Sequence, residues 1–466
     1  MRLLNMRVAY PETPATALLW LTLAVAISYA NVPTGDFQFD DYNVIVNEAQ
    51  VHSWAAWYAH LGNGIRPLLK FSYTLNWTMG TVVIGFHLTN LLIHLATAYL
   101  VLRLAQEFVQ QQAQQEKLRH VPLLVALLFA VHPIHTEAVS YISGRSASLM
   151  TLCYLAGLLG NIRGRTQQNW KLLYVATPLL FLLALGVKET AVTFPLALLL
   201  WELCCGGRWK ISFKQMWPSW IVLGIAALLF LFSDSYSSQM LRSAAFNSLQ
   251  GNLATQLSAY AYLLQQWALP LWLNIDPDLP LLKDLSEAML PLTFSIASLL
   301  LMLLCWRKRP WVSFALAWAM LQLIPLHLLL PRIDIANERQ MYLAAWPLLL
   351  ALVIEMALWL DSRILHVAAG ALLLTLASLT VLRNQVYANE ICLWEDTAMK
   401  SPHKARVHNN LGYAYLLTQR REDARGEFNV ALQLDPQLNK ARNNLRQLDE
   451  AINASRGRDA SPASHP

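Results

Sequence analysis

The sequence predicts an all-α protein, with about eleven membrane-spanning helices followed by a water-exposed tail of helical hairpins. Three observations carry that expectation. Charge is scarce: 35 Lys and Arg plus 29 Asp and Glu make 14% of 466 residues, and 56% are apolar, against about 25% charged in a soluble chain. Charge is also uneven, because 21 of these residues lie in the 83 from Asn384 onward. Finally, that tail carries a 34-residue period of small, aromatic and proline positions, which repeats of paired helices require.

Apolar runs lie near 14–33, 81–102, 121–141, 146–162, 171–187, 190–205, 216–233, 289–306, 311–330, 341–360 and 364–382, each approaching the roughly 20 residues a spanning helix needs. The first follows Arg2 and Arg7 and ends Ser28-Tyr29-Ala30; with so many spans after it, it reads as an uncleaved helix rather than a signal peptide. A twelfth run, 253–273, is interrupted by Gln256, Gln265 and Gln266, and reads as a re-entrant or interfacial helix. Basic clusters at Arg2/Arg7, Arg103/Lys117/Arg119, Arg163/Arg165/Lys171, Arg208/Lys210/Lys214 and Arg307/Lys308/Arg309 then share the cytoplasmic side, which puts the N-terminus inside and the tail outside. The net charge of +6 therefore marks orientation and not a nucleic-acid partner. Five scattered cysteines give neither a disulfide framework nor metal spacing.

The division that follows is a membrane part, 1–383, with long outer loops at 34–80 and 234–288, a repeat region, 384–452, and a disordered end, 453–466. In the first outer loop Val51, Trp54, Ala55 and Tyr58 share one helical face, as in a helix lying in the membrane surface. In the tail, Leu411, Gly412, Tyr415, Ala424, Phe428, Ala431 and Pro436 fall at the signature spacings of a tetratricopeptide repeat. Trp394 and Pro402 repeat Phe428 and Pro436 one period earlier, and Leu445 repeats Leu411 one period later.

Candidate chemistry collects on the outer side. Asp40-Asp41 opens the first outer loop; adjacent carboxylates near a bilayer repel each other and lose solvent, which moves one toward a general base, although the same pair also suits a solvated turn or helix cap. His132, His135 and Glu137 surround Pro133 and offer either metal ligands or polar lining for a cavity. Lys188-Glu189 lies between two apolar runs, either functional or a structural ion pair. Arg66, Arg145, Lys188 and Arg339 together are the cations an anionic lipid phosphate requires. His87 and Asn90, with His94, share a face of the second span that must look into protein or a cavity. No Gly-rich phosphate loop or soluble nucleotide domain is present, which points away from ATP or a sugar nucleotide.

Phe39-Asp40-Asp41, Arg66-Pro67, Phe86-His87 with Asn90, His132 through Val139, Gly144-Arg145, Lys188-Glu189, Glu338-Arg339 with Tyr342, and the repeats stand in this order. The order resembles the transmembrane and tetratricopeptide repeat-containing proteins of the GT-C glycosyltransferase superfamily, over nearly the whole chain. The resemblance implies transfer of a sugar from a polyprenyl-phosphate carrier to a hydroxyl, usually of protein Ser or Thr, on the outer face. It implies that Asp40 or Asp41 takes the hydroxyl proton and that Arg66, Arg145, Lys188 and Arg339 hold the leaving phosphate. His87, Asn90, His132, His135, Glu137, Glu189 and Tyr342 would then line the sugar and acceptor pocket, and the repeats would recruit the acceptor protein. No cofactor is firmly implied. The short tail suggests a bacterial inner-membrane protein with an undecaprenyl carrier and a periplasmic tail. Two other functions fit the same composition: a lipid or glycan transporter or flippase, which should carry charges near mid-span, and a non-catalytic repeat scaffold, which needs the tail but neither Asp40 nor Asp41.

Overall fold

The computed structural model describes Tyr10 and residues 12–62, 65–206, 213–232, 248–324 and 334–459. Every regular element among the described residues is helical. Five helices are long and apolar enough to cross a membrane: Val83–Val109, Ile142–Thr166, Leu285–Cys305, Glu338–Trp359 and Ser362–Val386. A sixth crossing forms if Val121–Val131 and Pro133–Val139, which meet at 53°, are taken together. Pro133 causes the bend by removing an amide donor and setting φ, while the His132 ring accepts from the Ile134 amide at 3.2 Å to cap the new start.

The eleven-crossing expectation falls partly on shorter elements: Pro14–Ser28, Leu172–Val187, Trp217–Leu229 and Pro310–Leu323. Wider π-turns at Leu172–Ala176 and Glu202–Gly206 lie within two of the apolar runs, 171–187 and 190–205, a feature that local sequence patterning does not display. The ambiguous run becomes a 20-residue helix, Leu249–Ala268. Arg2, Arg7, Arg208 and Lys210, with parts of the 234–288 loop and the 311–330 run, lie outside the described residues.

Helices Val83–Val109, Val121–Val131, Arg145–Thr166 and Met341–Trp359 form the centre of the membrane part, packed through Phe86, Val101, Phe108, Phe129, Tyr154 and Trp346, all fully buried. Short-range hydrogen bonds fasten the last apolar helix, Ser362–Val386, beside the first: Asn384 donates to the Ser28 carbonyl at 2.9 Å and receives the Ser140 hydroxyl at 2.6 Å. Neither a polar side chain nor a free carbonyl is tolerated in lipid without a partner, so these bonds fix which helices are neighbours.

The tail is a run of four helices, Glu390–Lys400, Ala405–Leu417, Arg421–Leu434 and Asn439–Asp459. Gly412 lets the second and third cross closely, since a Cβ there would come within 2.7 Å of the Phe428 ring. Trp394, Val407, Leu411, Ala424, Phe428 and Leu448 close the core. The last helix continues through residues 453–459, where disorder was expected. No proline interrupts it before Pro462, and alanine and arginine are strong helix formers.

The tail is docked, not tethered. Asp276 receives Lys404 at 2.6 Å and Arg406 at 2.5 and 2.6 Å, and Arg406 also meets Asp334 at 2.5 Å. Asn274 donates to the Ser401 hydroxyl at 2.8 Å, and Lys400 to the Leu273 carbonyl at 2.8 Å. Asp276 is 4% exposed, so these are charges removed from water with their partners in place.

Candidate functional site

The two loop carboxylates have different surroundings. Phe39 turns the chain in a left-handed conformation, φ 46°, which costs a residue with a Cβ on the order of 1 kcal/mol or more. After that turn Asp41 points inward and is 1% exposed. Its Oδ1 accepts the Ser143 amide at 2.8 Å and the Ser143 hydroxyl, and its Oδ2 accepts the Gln38 amide at 3.0 Å. Burial pushes the Asp41 carboxyl up to about 7, against the pull of those donors. Asp40 remains half-buried. Its amide donates to the Tyr141 hydroxyl at 2.9 Å, and its charge is close enough to act on Asp41 and on Arg339. The pair thus divides into an interior, hydrogen-bonded Asp41 and a half-buried Asp40.

Ser143 begins the turn that delivers Arg145. Gly144 sits between them because a Cβ there would collide with the Glu137 carbonyl. Arg145 is fully buried. Its Nε donates to Asn90 Oδ1 at 2.6 Å, Nη1 to Asn76 Oδ1 at 2.7 Å and to the Ser72 carbonyl at 3.1 Å, and Nη2 to the Phe86 carbonyl at 2.9 Å. The guanidinium also lies over Tyr73, 4.9 Å from the ring centre. A planar fork satisfied on this many edges holds protein together; Arg145 ties its own helix to the helices Pro67–Met79 and Val83–Val109. Asn90 is likewise occupied, donating to the Val139 carbonyl at 3.1 Å.

Two of the sequence-selected cations do meet. Lys188 and Arg339 line a small cleft with Ala147, Thr151, Thr190, Gln322 and Gln340. Lys188 ends the helix Thr177–Val187 in an extended conformation, and Arg339 lies in the turn Glu338–Gln340 that opens the helix Met341–Trp359. Glu137, fully buried, orients Arg339: Oε2 accepts the Arg339 amide at 2.9 Å, and Oε1 lies 3.3 Å from Nε. The cleft therefore offers two cations and several neutral donors, a donor set suited to an oxyanion such as a phosphate.

The remaining candidates are not among the residues that line this cleft. Arg66, at φ 55°, grips Glu189 with two bonds of 2.9 and 2.5 Å, one residue from Lys188. Tyr342 donates its hydroxyl or accepts at His94 Nδ1, 2.7 Å away. His135 packs against Phe129 at 4.3 Å and Tyr342 at 4.9 Å, and among the described residues neither of its ring nitrogens has a hydrogen-bond partner. His132 lies parallel to Trp267, and His87 Nε2 meets the Gly35 carbonyl at 3.3 Å. Among the described residues no group of three or more His, Cys, Asp or Glu side chains is placed to hold a metal ion.

Ser143, Thr151, Thr190, Gln322 and Gln340 were not singled out in the sequence. Hydroxyl and amide residues are too common to announce a site; Ser143 beside Gly144-Arg145, Thr190 beside Lys188-Glu189 and Gln340 beside Glu338-Arg339 had neighbours that signalled one, whereas Thr151 and Gln322 had none.

The chain is 25% identical over 444 residues to a Caenorhabditis elegans protein named protein O-mannosyl-transferase F38B6.6, a match covering 90% of this chain and 62% of that one. It is 25% identical over 484 residues to human protein O-mannosyl-transferase TMTC4, covering 84% and 63%. A shorter stretch of 140 residues is 38% identical to Drosophila melanogaster protein O-mannosyl-transferase Tmtc1, covering 30% and 15%. The chain thus spans less than two thirds of the length of these relatives. No family model and no solved structure matches it.

Proposed function

We propose that this multi-pass membrane protein is a glycosyltransferase of the GT-C type, which moves a mannose-like sugar from a polyprenyl-phosphate carrier to a hydroxyl of a protein acceptor. The observation that carries the reading is the cleft in which Lys188 and Arg339 converge within electrostatic reach of Asp40. The names of its relatives supply the acceptor class and the sugar.

In this reading the Asp40 carboxylate accepts the proton of the acceptor hydroxyl as its oxygen attacks the anomeric carbon. The bond from that carbon to the phosphate oxygen breaks with inversion, and the electron pair leaves on the phosphate. Lys188 and Arg339 stabilise that developing charge. Glu137 holds Arg339 in place, Arg66 and Glu189 brace the turn carrying Lys188, and Asp41 fixes the backbone from which Asp40 projects. His87, His132, His135 and Tyr342 build the wall around the sugar, and Asn90, engaged by Arg145 and the Val139 carbonyl, supports it from behind. A carrier that brings its own phosphate through the lipid is consistent with a site framed by spanning helices and lacking a phosphate loop.

The wider arrangement follows: about eleven crossings, N-terminus cytoplasmic, and tetratricopeptide repeats on the outer side presenting the acceptor. The membrane would be a bacterial inner membrane and the carrier of undecaprenyl type. Separate Asp40→Asn and Asp41→Asn variants test the enzyme assignment, with glycosylation of envelope proteins followed by mass spectrometry. Loss of the modification in the Asp40 variant at normal expression supports it; unchanged modification in both removes it.

A further inference from the structure

We propose that the first helix of the tail is a working part of the active site, with Trp394 as a positioning residue that aims Asp40 through Phe39. The proposal rests on the reading of Asp40 as the proton acceptor. Phe39 precedes Asp40 and holds the left-handed turn on which its direction depends. That turn is stabilised from the tail. The Phe39 ring meets Trp394 edge to face, with centres 5.0 Å apart, and Trp394 is itself 1% exposed. Phe39 packs both against the tail core of Trp394, Leu411 and Phe428 and against the cluster of Tyr141, Tyr387 and Leu393. One loop side chain is thus shared between the two.

The backbone around it is fixed from the same direction. Gln38 donates its amide to the Tyr387 carbonyl at 2.5 Å, and the Asp36 amide donates to the Ala388 carbonyl at 3.1 Å. The Glu390 carboxylate lies against the Phe39 amide. A second link reaches the cleft: Arg383 joins Glu338 at 3.3 Å and Asp396 at 2.7 Å, and Glu338 adjoins Arg339. The helix Glu390–Lys400 therefore bears both on the turn that carries Asp40 and, through Arg383 and Glu338, on the cleft residue Arg339.

Trp394 occupies the sequence position that Phe428 holds one period later. Phe428 fills the seam against Gly412, whereas the helix of Trp394 begins the tail and meets the catalytic loop instead. Its contact is with the site and not only with its own repeat. Misplacing a reacting group by about 1 Å costs on the order of a hundredfold in rate, so a residue that sets the Phe39 turn should act on turnover.

The test uses the purified full chain in lipid vesicles, with tritiated mannosyl polyprenyl phosphate and a mixed Ser/Thr peptide acceptor. Trp394→Ala should lower kcat by roughly tenfold or more with the donor KM within about twofold, and Trp394→Phe should restore most of it. Phe39→Gly keeps the tail's tryptophan and permits the left-handed φ, yet removes the contact; it should lose kcat in the same way, which covers the case of a Trp394→Ala protein that fails to fold. Asp40→Asn run alongside separates the two claims. An inactive Asp40 variant with wild-type kcat in Phe39→Gly or folded Trp394→Ala overturns the positioning role. Wild-type turnover in Asp40→Asn overturns the reading beneath it, and the proposal with it.

Discussion

The Asp41 carboxylate and Ser143 are joined twice, through the serine amide at 2.8 Å and through its hydroxyl. This links the loop after the first apolar helix to the turn that carries Arg145, 102 residues later in the chain. With Asp41 held there, Asp40 remains half-buried beside it.

Ser143→Ala should move the titration of Asp41 upward. Burial already raises that carboxyl to about 7 and the Ser143 bonds lower it, so losing the hydroxyl favours the protonated form. A carboxyl whose native pKa lies above its unfolded value of 3.8 works against the fold as it ionises. Its contribution is fully present below the unfolded pKa, is lost as pH rises through about 7, and is constant beyond. In Ser143→Ala the decline should extend to higher pH, with a further loss of about 1 kcal/mol from the missing bond. Thermal unfolding of the detergent-solubilised protein across this range measures both.

Arg145→Lys should be strongly destabilising despite conserving the charge. A lysine ammonium cannot reach Asn90, Asn76, Ser72 and Phe86 together, and the buried acceptors left behind cost about 3–5 kcal/mol. A fall in melting temperature, with little folded protein recovered, is expected; an unchanged melting curve would show that the network is dispensable.

These residues also show what was legible in the sequence. Scarce charge and the apolar runs indicated helices in a membrane because both are properties of composition. Shorter and broken helices were less visible, since π-turns such as Leu172–Ala176 depend on packing. Asp40, Lys188 and Arg339 stood out because charge near a bilayer is costly. The same reasoning ranked Arg145 with them, yet its acceptors come from loops and helices 55 to 73 residues away. Spacing cannot distinguish a cation that binds a ligand from one that binds the fold. The seam between Gly412 and Phe428 was legible, because close crossing demands a small residue opposite a large one.

Asp276→Ala should loosen the tail without unfolding the membrane part. It removes the acceptor shared by Lys404 and Arg406 and leaves Asp334 as the remaining acceptor described for Arg406. Stranding partly buried charges costs about 2–4 kcal/mol, so hydrogen exchange in 387–417 should quicken while exchange in 121–166 stays as it was.

The tail should also be more tightly folded at mildly acidic pH. His408 is raised above its ordinary 6.5 by Glu427, 2.7 Å away, with help from the Pro402 carbonyl. The stabilisation is fully present below about 6.5 and is lost as pH rises through the higher native value. A surface-adjacent pair of this kind contributes up to about 1 kcal/mol. Hydrogen exchange of the tail helices should be slower at pH 6 than at pH 8, and His408→Gln should flatten the difference.

The most direct measurement is single-turnover transfer by the purified chain in vesicles, from tritiated mannosyl polyprenyl phosphate to a Ser/Thr peptide, for the wild type, Asp40→Asn and Lys188→Gln. With Asp40 as proton acceptor and Lys188 at the phosphate, transfer should fall by about a hundredfold or more in the first variant. In the second, donor affinity should weaken together with rate. A folded Asp40→Asn protein that transfers mannose at the wild-type rate would contradict the assignment of this cleft as the catalytic site.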